Sequence, residues 1–272
     1  MTGYSFRADE IDTSRPHSAR MYDYYLGGKT HYEIDAQAAE SVMAAWPGVQ
    51  QWARTNRAFM HRATRWLAAE AGIRQFLDLG TGIPTEPNLH QIAQGVVPDA
   101  RIVYVDHDPI VLTYADALLN STPEGRTVFL RADVAQPESI LDSAVLRDTL
   151  DLTEPVGLSL NALMHFFPDE ANPYGIVQHL LDALAPGSYL ALSHGVPDPD
   201  SQVRDTVTEL YRRSGMTVVG RTKNQVARFF DGLELIEPGV EMAHRWRPAP
   251  DTDPAELART KVSLYVGVAR KP

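Results

Sequence analysis

The amino-acid sequence predicts a doubly wound α/β fold, in which helices cover both faces of a mostly parallel sheet. Three apolar runs, at 75–79, 101–106 and 126–131, each end close to an acidic residue, and helix-like segments separate them. The connections are long enough for right-handed crossovers between parallel strands. Because ligands of such sheets bind beyond the carboxyl ends of the strands, these acids mark the expected binding edge.

Strand-like and helix-like segments alternate from residue 75 onwards. Strands are predicted at 75–79, 101–106, 126–131, 155–160 and 188–194, and helices at 86–95, 109–120, 138–150, 172–185, 200–214 and 222–230. Two further strand-like runs, 233–237 and 262–269, flank a loop with one short helix over 243–259. We expect these two runs to form an antiparallel pair at the sheet edge, which gives seven strands in all.

About seventy residues of helical character precede the first strand. Two short helices are predicted within 17–46, followed by a longer one from Val49 to Ala71, whose apolar residues recur at three- and four-residue spacing. We therefore divide the chain into an N-terminal helical cap or lid and a cofactor-binding core, at 1–72 and 73–272.

Composition and charge argue against several function classes. The 272-residue chain carries a net charge of −10, which disfavours a surface that follows phosphates, so nucleic acid is not an expected partner. It has no cysteine, hence no disulfide and no thiolate metal cluster, and we expect a cytoplasmic protein that needs no metal. No apolar run reaches the roughly 20 residues of a membrane span, and we recognise no signal peptide.

The turn after the first strand favours a nucleoside-containing cofactor. Gly80 and Gly82, on either side of Thr81, allow a sharp bend and a close approach of the backbone to a ligand. A dinucleotide fingerprint has a third glycine where this chain has Thr85. An aminocarboxyl group makes lighter demands on the turn, and Asp78 could orient its ammonium. A tight turn without a ligand is the alternative.

The next two strand ends supply candidates for the nucleoside. Asp106 is suited to accept hydrogen bonds from both ribose hydroxyls, and His107 either packs on the adenine or faces solvent. Asp133 is suited to the adenine amino group, and the Val134 amide to a ring nitrogen. The alternative for either acid is a helix cap, a task that Asp108 fills well after the second strand.

The fourth strand leads into the candidates for the reacting end. Asn161 could bind a ligand ammonium, and His165 could act as a general base because its ordinary pKa lies near neutrality. The alternative is that His165 is a structural residue whose hydrogen bonds are made within a turn. His194, after the fifth strand, is a second and weaker candidate base.

The N-terminal segment offers a candidate lid. Gly28-Lys29-Thr30 resembles the tail of a phosphate-binding loop, but Asp23 stands where that loop needs its first glycine, so we reject a nucleoside triphosphate site. Tyr22 and Tyr25 combine an apolar ring with a polar tip and suit a contact with the cofactor. Packing into the core is the alternative.

Together, Asp78-x-Gly80-x-Gly82, Asp106, Asp133 and Asn161 resemble the motifs of class I S-adenosylmethionine-dependent methyltransferases. Three longer stretches, at 19–29, 56–59 and 71–82, resemble one bacterial S-adenosyl methyltransferase family formerly described as a domain of unknown function.

This resemblance implies a Rossmann-like seven-stranded methyltransferase sheet, S-adenosylmethionine as the cofactor and methyl transfer to an unidentified small-molecule acceptor. The Asn-Pro-Pro-aromatic motif of enzymes that methylate nucleobases or glutamine is absent, because Ala162-Leu163 follows Asn161. Two alternatives stay open, namely a non-catalytic regulatory protein that binds the cofactor and an NAD-dependent oxidoreductase.

Overall fold

The computed structural model describes residues 12–111, 120–196 and 200–272. In this part of the chain eight strands form one sheet. They are β1 (Gln75–Leu79), β2 (Arg101–Asp106), β3 (Arg126–Arg131), β4 (Gly157–Asn161), β5 (Tyr189–Gly195), β6 (Glu234–Leu235), β7 (Glu241–Met242) and β8 (Leu264–Arg270). Their order is β3-β2-β1-β4-β5-β8-β6, and β7 also pairs with β8.

The strand directions confirm a mostly parallel sheet with an antiparallel edge. β1 to β5 are parallel to their neighbours, whereas β8 is antiparallel to β5 and to both β6 and β7. The sequence predicted one strand at 233–237, where the structure has the two-residue strand β6. The second two-residue strand, β7, lies outside that range. A turn in which the Gly239 N–H donates to the Ile236 carbonyl at 2.8 Å ends the first of them.

Ten α-helices lie entirely within the described residues. They are α1 (Ser18–Leu26), α2 (Glu33–Ala45), α3 (Val49–Ala69), α4 (Leu89–Gln94), α5 (Pro137–Leu141), α6 (Ala144–Arg147), α7 (Pro173–Asp182), α8 (Ser201–Arg213), α9 (Lys223–Ala227) and α10 (Pro254–Arg259). The helix predicted over 138–150 is wrong as a single element. Ser143 starts a new helix, because its hydroxyl accepts a hydrogen bond from the Val145 N–H at 3.2 Å. The helix predicted over 109–120 lies largely outside the described residues.

Two hydrophobic clusters lie on opposite faces of the sheet and confirm the doubly wound arrangement. Successive residues of a strand point to opposite faces, so Phe76 joins Phe59 and Leu67 of α3 in one cluster. Leu77 joins Leu180 of α7 in the other cluster. Helix α3 therefore covers one face of the sheet directly. The division into a cap over 1–72 and a core over 73–272 stays a prediction.

The residue pattern of the 19–29 stretch is explained by the turn between α1 and α2. Asp23, buried in α1, accepts a hydrogen bond from the Thr30 N–H at 2.8 Å and lies 3.0 Å from Nδ1 of His31. A Cβ on Gly28 would collide with the Asp23 carboxylate, and Gly27 ends the helix at φ +81°. Asp23 and the two glycines thus fix the chain reversal between α1 and α2. Among the described residues, no helix is long and apolar enough to cross a membrane.

Candidate functional site

A cavity of about 400 Å³ opens beyond the carboxyl ends of the strands. It straddles the point between β1 and β4 where the strand order reverses, which is where open α/β sheets bind ligands. The structure brings all eleven site residues predicted from the sequence to its wall. They are Tyr22, Asp78, Gly80, Thr81, Gly82, Asp106, His107, Asp133, Val134, Asn161 and His165. Their roles toward a ligand stay predictions.

The glycine turn is fastened to the end of β2. Gly80 and Gly82 have φ angles of +67° and +65°, in the left-handed region that favours glycine. The Gly80 N–H donates to the Val105 carbonyl at 2.8 Å, and the Gly82 N–H donates to Oδ2 of Asp106 at 2.8 Å. A side chain at position 80 would collide with Leu163. The turn and the acid therefore form one rigid unit.

The buried carboxylate of Asp106 is oriented by the backbone at both oxygens. Oδ1 accepts from the Asp108 N–H at 3.0 Å, while Oδ2 holds Gly82. Each oxygen keeps a second lone pair, which a vicinal diol could use. The helix-cap alternative is filled by Asp108 instead, whose Oδ1 accepts from the Ile110 N–H at 3.0 Å.

Asp133 combines the two interpretations that the sequence left open. Its Oδ1 accepts a hydrogen bond from the Ala135 N–H at 2.9 Å, so it stabilises the turn after β3. Its side chain is exposed and also lines the cavity, next to the buried Val134. His107 is exposed as well and lies 3.9 Å from the Asp106 carboxylate, at the mouth of the site.

Asp78 holds a carboxyl group in an apolar environment. Burial raises the pKa of Asp78 to about 6, although the Ser159 hydroxyl, Arg57 and Thr81 oppose that shift. Arg57 lies at the same wall and donates through Nη2 to the Pro87 carbonyl at 2.7 Å. Our sequence-based site residues did not include Arg57. Its only signal was its place in the 56–59 stretch, on the helix face toward the strand ends.

Asn161 carries an unsatisfied acceptor at the junction between β1 and β4. Its Nδ2 donates to Oγ of Ser159 at 2.6 Å, and its buried Oδ1 has no hydrogen-bond partner among the described residues. A buried orphan oxygen is costly in a native structure and points to a missing donor. An ammonium group would satisfy it, in agreement with the role predicted for Asn161.

A hydrogen-bond relay connects this junction to the N-terminal helices. Ala162 has a strained φ of +52°, and its N–H donates to Oγ of Ser193 at 2.7 Å. Ser193 donates to Oδ1 of Asn56 at 2.5 Å, and Nδ2 of Asn56 donates to the Tyr22 hydroxyl at 2.9 Å. Tyr22 in turn donates to the Ala53 carbonyl at 3.0 Å. The relay fixes the backbone beside Asn161, and sequence reasoning missed Asn56 and Ser193.

The two candidate bases differ in what their rings contact. Nδ1 of His194 lies 2.6 Å from the Gly195 carbonyl, and its Nε2 lies 2.9 Å from Nη1 of Arg221. Since arginine can only donate, Nε2 of His194 accepts, so its tautomer is fixed and both nitrogens are occupied. Nδ1 of His165 has no partner among the described residues, and the ring lines the cavity.

Burial lowers the pKa of His165 well below its ordinary value, and the nearby His194 and Arg221 lower it further. At neutral pH the imidazole is therefore neutral, with one of its two ring nitrogens unprotonated. This is the protonation state that a general base requires.

The matching of this chain to known proteins agrees with that geometry. A family model described as S-adenosyl methyltransferase matches residues 5–272. A DUF574 family protein from Streptomyces avermitilis is 50% identical, with a TM-score of 0.91 over 96% of this chain and 100% of that chain. A protein from Thermobifida fusca, named a "putative methyltransferase", is 39% identical, with a TM-score of 0.86 over 96% of both chains.

A more distant structure shares the fold alone. The S-adenosylmethionine-dependent methyltransferase of Anabaena variabilis is 14% identical, with a TM-score of 0.50 over 97% of this chain and 98% of that chain. No curated protein is significantly similar to this chain.

Proposed function

This chain belongs to the S-adenosyl methyltransferase family and is an S-adenosylmethionine-dependent methyltransferase, and from that premise we propose that it methylates a small molecule within the cavity at the strand ends. The cavity's volume of about 400 Å³ suits small ligands rather than a polymer. The net charge of −10 further disfavours a polyanionic acceptor.

We assign the cofactor to the half of the cavity beyond β1, β2 and β3. Asp106, held by two backbone N–H groups, accepts the ribose hydroxyls. Asp133 and the Val134 amide face the adenine, with His107 at the mouth. The methionine ammonium is shared by Asp78 and the orphan oxygen of Asn161, which anchors the reacting end at the junction of β1 and β4.

Arg57 and the glycine turn complete the cofactor site. The guanidinium of Arg57 lies beside Asp78 and suits the methionine carboxylate. Gly80, Thr81 and Gly82 let the backbone approach closely, since Gly80 has no room for a side chain.

S-adenosylmethionine supplies a methyl group already activated on a sulfonium. The residues of the chain then need only to hold donor and acceptor in line, exclude water and accept a proton. Tyr22 and Tyr25 close the site from α1, and His165 is the group we assign to receive that proton.

The observation that carries this assignment is Asp106, a buried acid with both oxygens oriented and free lone pairs. We expect calorimetric titration of the wild type to show binding of S-adenosylmethionine and S-adenosylhomocysteine but not NAD. Asp106→Ala loses two charge-assisted contacts, so its affinity for both should fall by roughly 100-fold or more.

Asp99→Ala is the matched control, because Asp99 is an exposed acid paired with Arg74 at the opposite end of the strands. It should bind as the wild type does. Equal affinities for the Asp106 and Asp99 variants would refute the proposed cofactor position.

A further inference from the structure

The lining of the cavity changes from acidic to aromatic beyond the ends of β4, β5 and β8. Its wall there is a chain of aromatic rings, which we term the aromatic arc: Trp46, Trp52, His165, Phe166 and Tyr211. Successive ring centroids lie 6.2, 5.7, 4.4 and 6.4 Å apart in that order. These spacings are typical of favourable edge-to-face and tilted aromatic contacts. The arc thus forms one continuous apolar wall.

Hydrogen bonds hold the arc in place from behind. Nε1 of Trp52 donates to the Ser263 carbonyl at 3.0 Å, which anchors this ring to the segment before β8. The Tyr211 and Tyr25 hydroxyls lie 3.2 Å apart and link α8 to α1. Because the polar tips of Trp52 and Tyr211 are already paired, these two rings offer a ligand ring surface rather than hydrogen-bond donors.

Charge is distributed unevenly along the cavity. Among the described residues that line it, the carboxylates are Asp78, Asp106 and Asp133, all at the ends of β1 to β3. Beyond β4, none of the described residues that line the wall carries a carboxylate to receive a cationic acceptor. Arg204, the cation at that end, is exposed and lies 3.1 Å from Oδ1 of Asp205.

His165 is the imidazole within the arc. It is only 6% exposed, and its Nδ1 has no partner among the described residues. The charged and titratable neighbours, His194 and Arg221, face it from β5 and from the segment before α9, and both keep the imidazole neutral. A neutral imidazole among aromatic rings is a site for one hydroxyl group on a flat, apolar molecule.

Resting on the methyltransferase assignment above, we infer that the acceptor is an uncharged aromatic compound with a ring hydroxyl, which the aromatic arc binds and whose oxygen is methylated. A neutral amine carries its own free lone pair and needs no base, whereas a hydroxyl must lose its proton. The buried imidazole therefore favours an oxygen acceptor.

The step balances with the groups named. The acceptor oxygen forms a bond to the methyl carbon while the methyl–sulfur bond breaks, and that electron pair stays on sulfur. The products are an aryl methyl ether and S-adenosylhomocysteine. The hydroxyl proton, acidified as the new bond forms, moves to the imidazole of His165 and then to solvent.

The test uses four probes of similar size, namely naphthol, naphthoate, naphthylmethylamine and decalinol. Their binding to enzyme saturated with S-adenosylhomocysteine is measured by calorimetry, and methyl transfer is measured by S-adenosylhomocysteine release from S-adenosylmethionine. We expect naphthol to bind at least tenfold more tightly than the other three and to be the one methylated. A preference for the ammonium, the carboxylate or the saturated alcohol would overturn the inference.

Two variants and one control connect the result to the arc. Phe166→Leu should weaken naphthol binding about five- to tenfold and leave cofactor affinity unchanged. Trp66→Leu, an aromatic packed on Tyr189 outside the cavity, should change neither.

His165→Asn should keep the cofactor affinity, weaken naphthol binding several-fold and lower turnover at saturating naphthol about 100-fold. Its rate should recover toward about pH 10, where a ring hydroxyl ionises without help. An unchanged rate, or a loss that high pH does not restore, would remove His165 from the proton transfer. If the wild type binds S-adenosylmethionine but shows no preference for naphthol, the acceptor class alone is refuted. If the wild type does not bind S-adenosylmethionine, the functional assignment itself is refuted.

Discussion

The acidic end and the aromatic end of the cavity are built by different kinds of sequence. At the acidic end, Asp78, Asp106 and Asp133 each end or closely follow a strand, so the sheet itself places them side by side. At the aromatic end, Trp52 comes from α3 and Tyr211 from α8, segments far apart in the chain. One end is positioned by backbone pairing and the other by tertiary packing of helices. The residues of the acidic end can therefore be predicted from the sequence, whereas Trp52 and Tyr211 of the aromatic end cannot.

The largest expected effect comes from removing the buried charge of Asp78 at the acidic end. Asp78→Asn keeps the shape of the side chain and removes a buried charge that burial disfavours. We expect affinity for S-adenosylmethionine to fall roughly 10- to 100-fold, since a charge-assisted hydrogen bond is lost. The cofactor-free protein should become more stable by about 1–3 kcal/mol at neutral pH. Calorimetry and urea unfolding measure the two effects.

The pH dependence of stability tests whether Asp78 is the group responsible. The folded-state pKa of Asp78, about 6, exceeds the ordinary value of 3.8, so the folded protein binds more protons between them. Its contribution to stability is therefore fully present below about pH 4 and is lost as the pH rises through about 6. Cofactor affinity should rise over the same window as the carboxylate forms. An Asp78→Asn protein with an unchanged pH profile would contradict this assignment.

The parallel strands and the acids at their ends were predictable because both depend on local pattern. Apolar runs and the residues next to them are contiguous in sequence, and parallel strands bring their carboxyl ends to one edge. The junction at Asn161 followed from the same rule. The turn at Asp142-Ser143 that divides the helix predicted over 138–150 did not, since serine inside an apolar pattern is compatible with either outcome.

The other residues of the site could not be predicted in the same way. Arg57, Asn56 and Trp52 lie on α3, whose spacing predicts an apolar stripe but not which strand ends it crosses. Ser193 sits inside β5 and looks like an ordinary strand residue. Each acquires its role only when α3 packs across the sheet, which is a tertiary event without a local signal.

A smaller effect tests whether the relay from α3 serves the acidic end or only the fold. Ser193→Ala leaves the Ala162 N–H and Oδ1 of Asn56 unpaired and releases the strained backbone beside Asn161. Stability should fall by about 1–3 kcal/mol. Cofactor affinity should fall about three- to tenfold, because Asn161 is no longer held in place.

Ser188→Ala provides a closely matched comparison within the same pair of strands. Ser188 is also fully buried and accepts the Val156 N–H at 3.0 Å, but at the amino end of β5, away from the cavity. It should lose a similar amount of stability and keep its cofactor affinity. If both serine variants bind the cofactor equally well, the relay is purely structural.

The smallest expected effect divides α1 between the two ends of the cavity. Tyr22 and Tyr25 lie on one helix, but the Tyr22 hydroxyl joins the Asn56 relay toward Asn161, whereas the Tyr25 hydroxyl pairs with Tyr211 of the aromatic arc. Each Phe substitution removes about 1 kcal/mol of hydrogen bonding. Tyr22→Phe should therefore weaken S-adenosylmethionine two- to fivefold and leave naphthol binding to the loaded enzyme unchanged. Tyr25→Phe should do the reverse. Two variants with identical profiles would mean that α1 acts on the cavity as a single lid, and the separation into two ends would then fail at this helix.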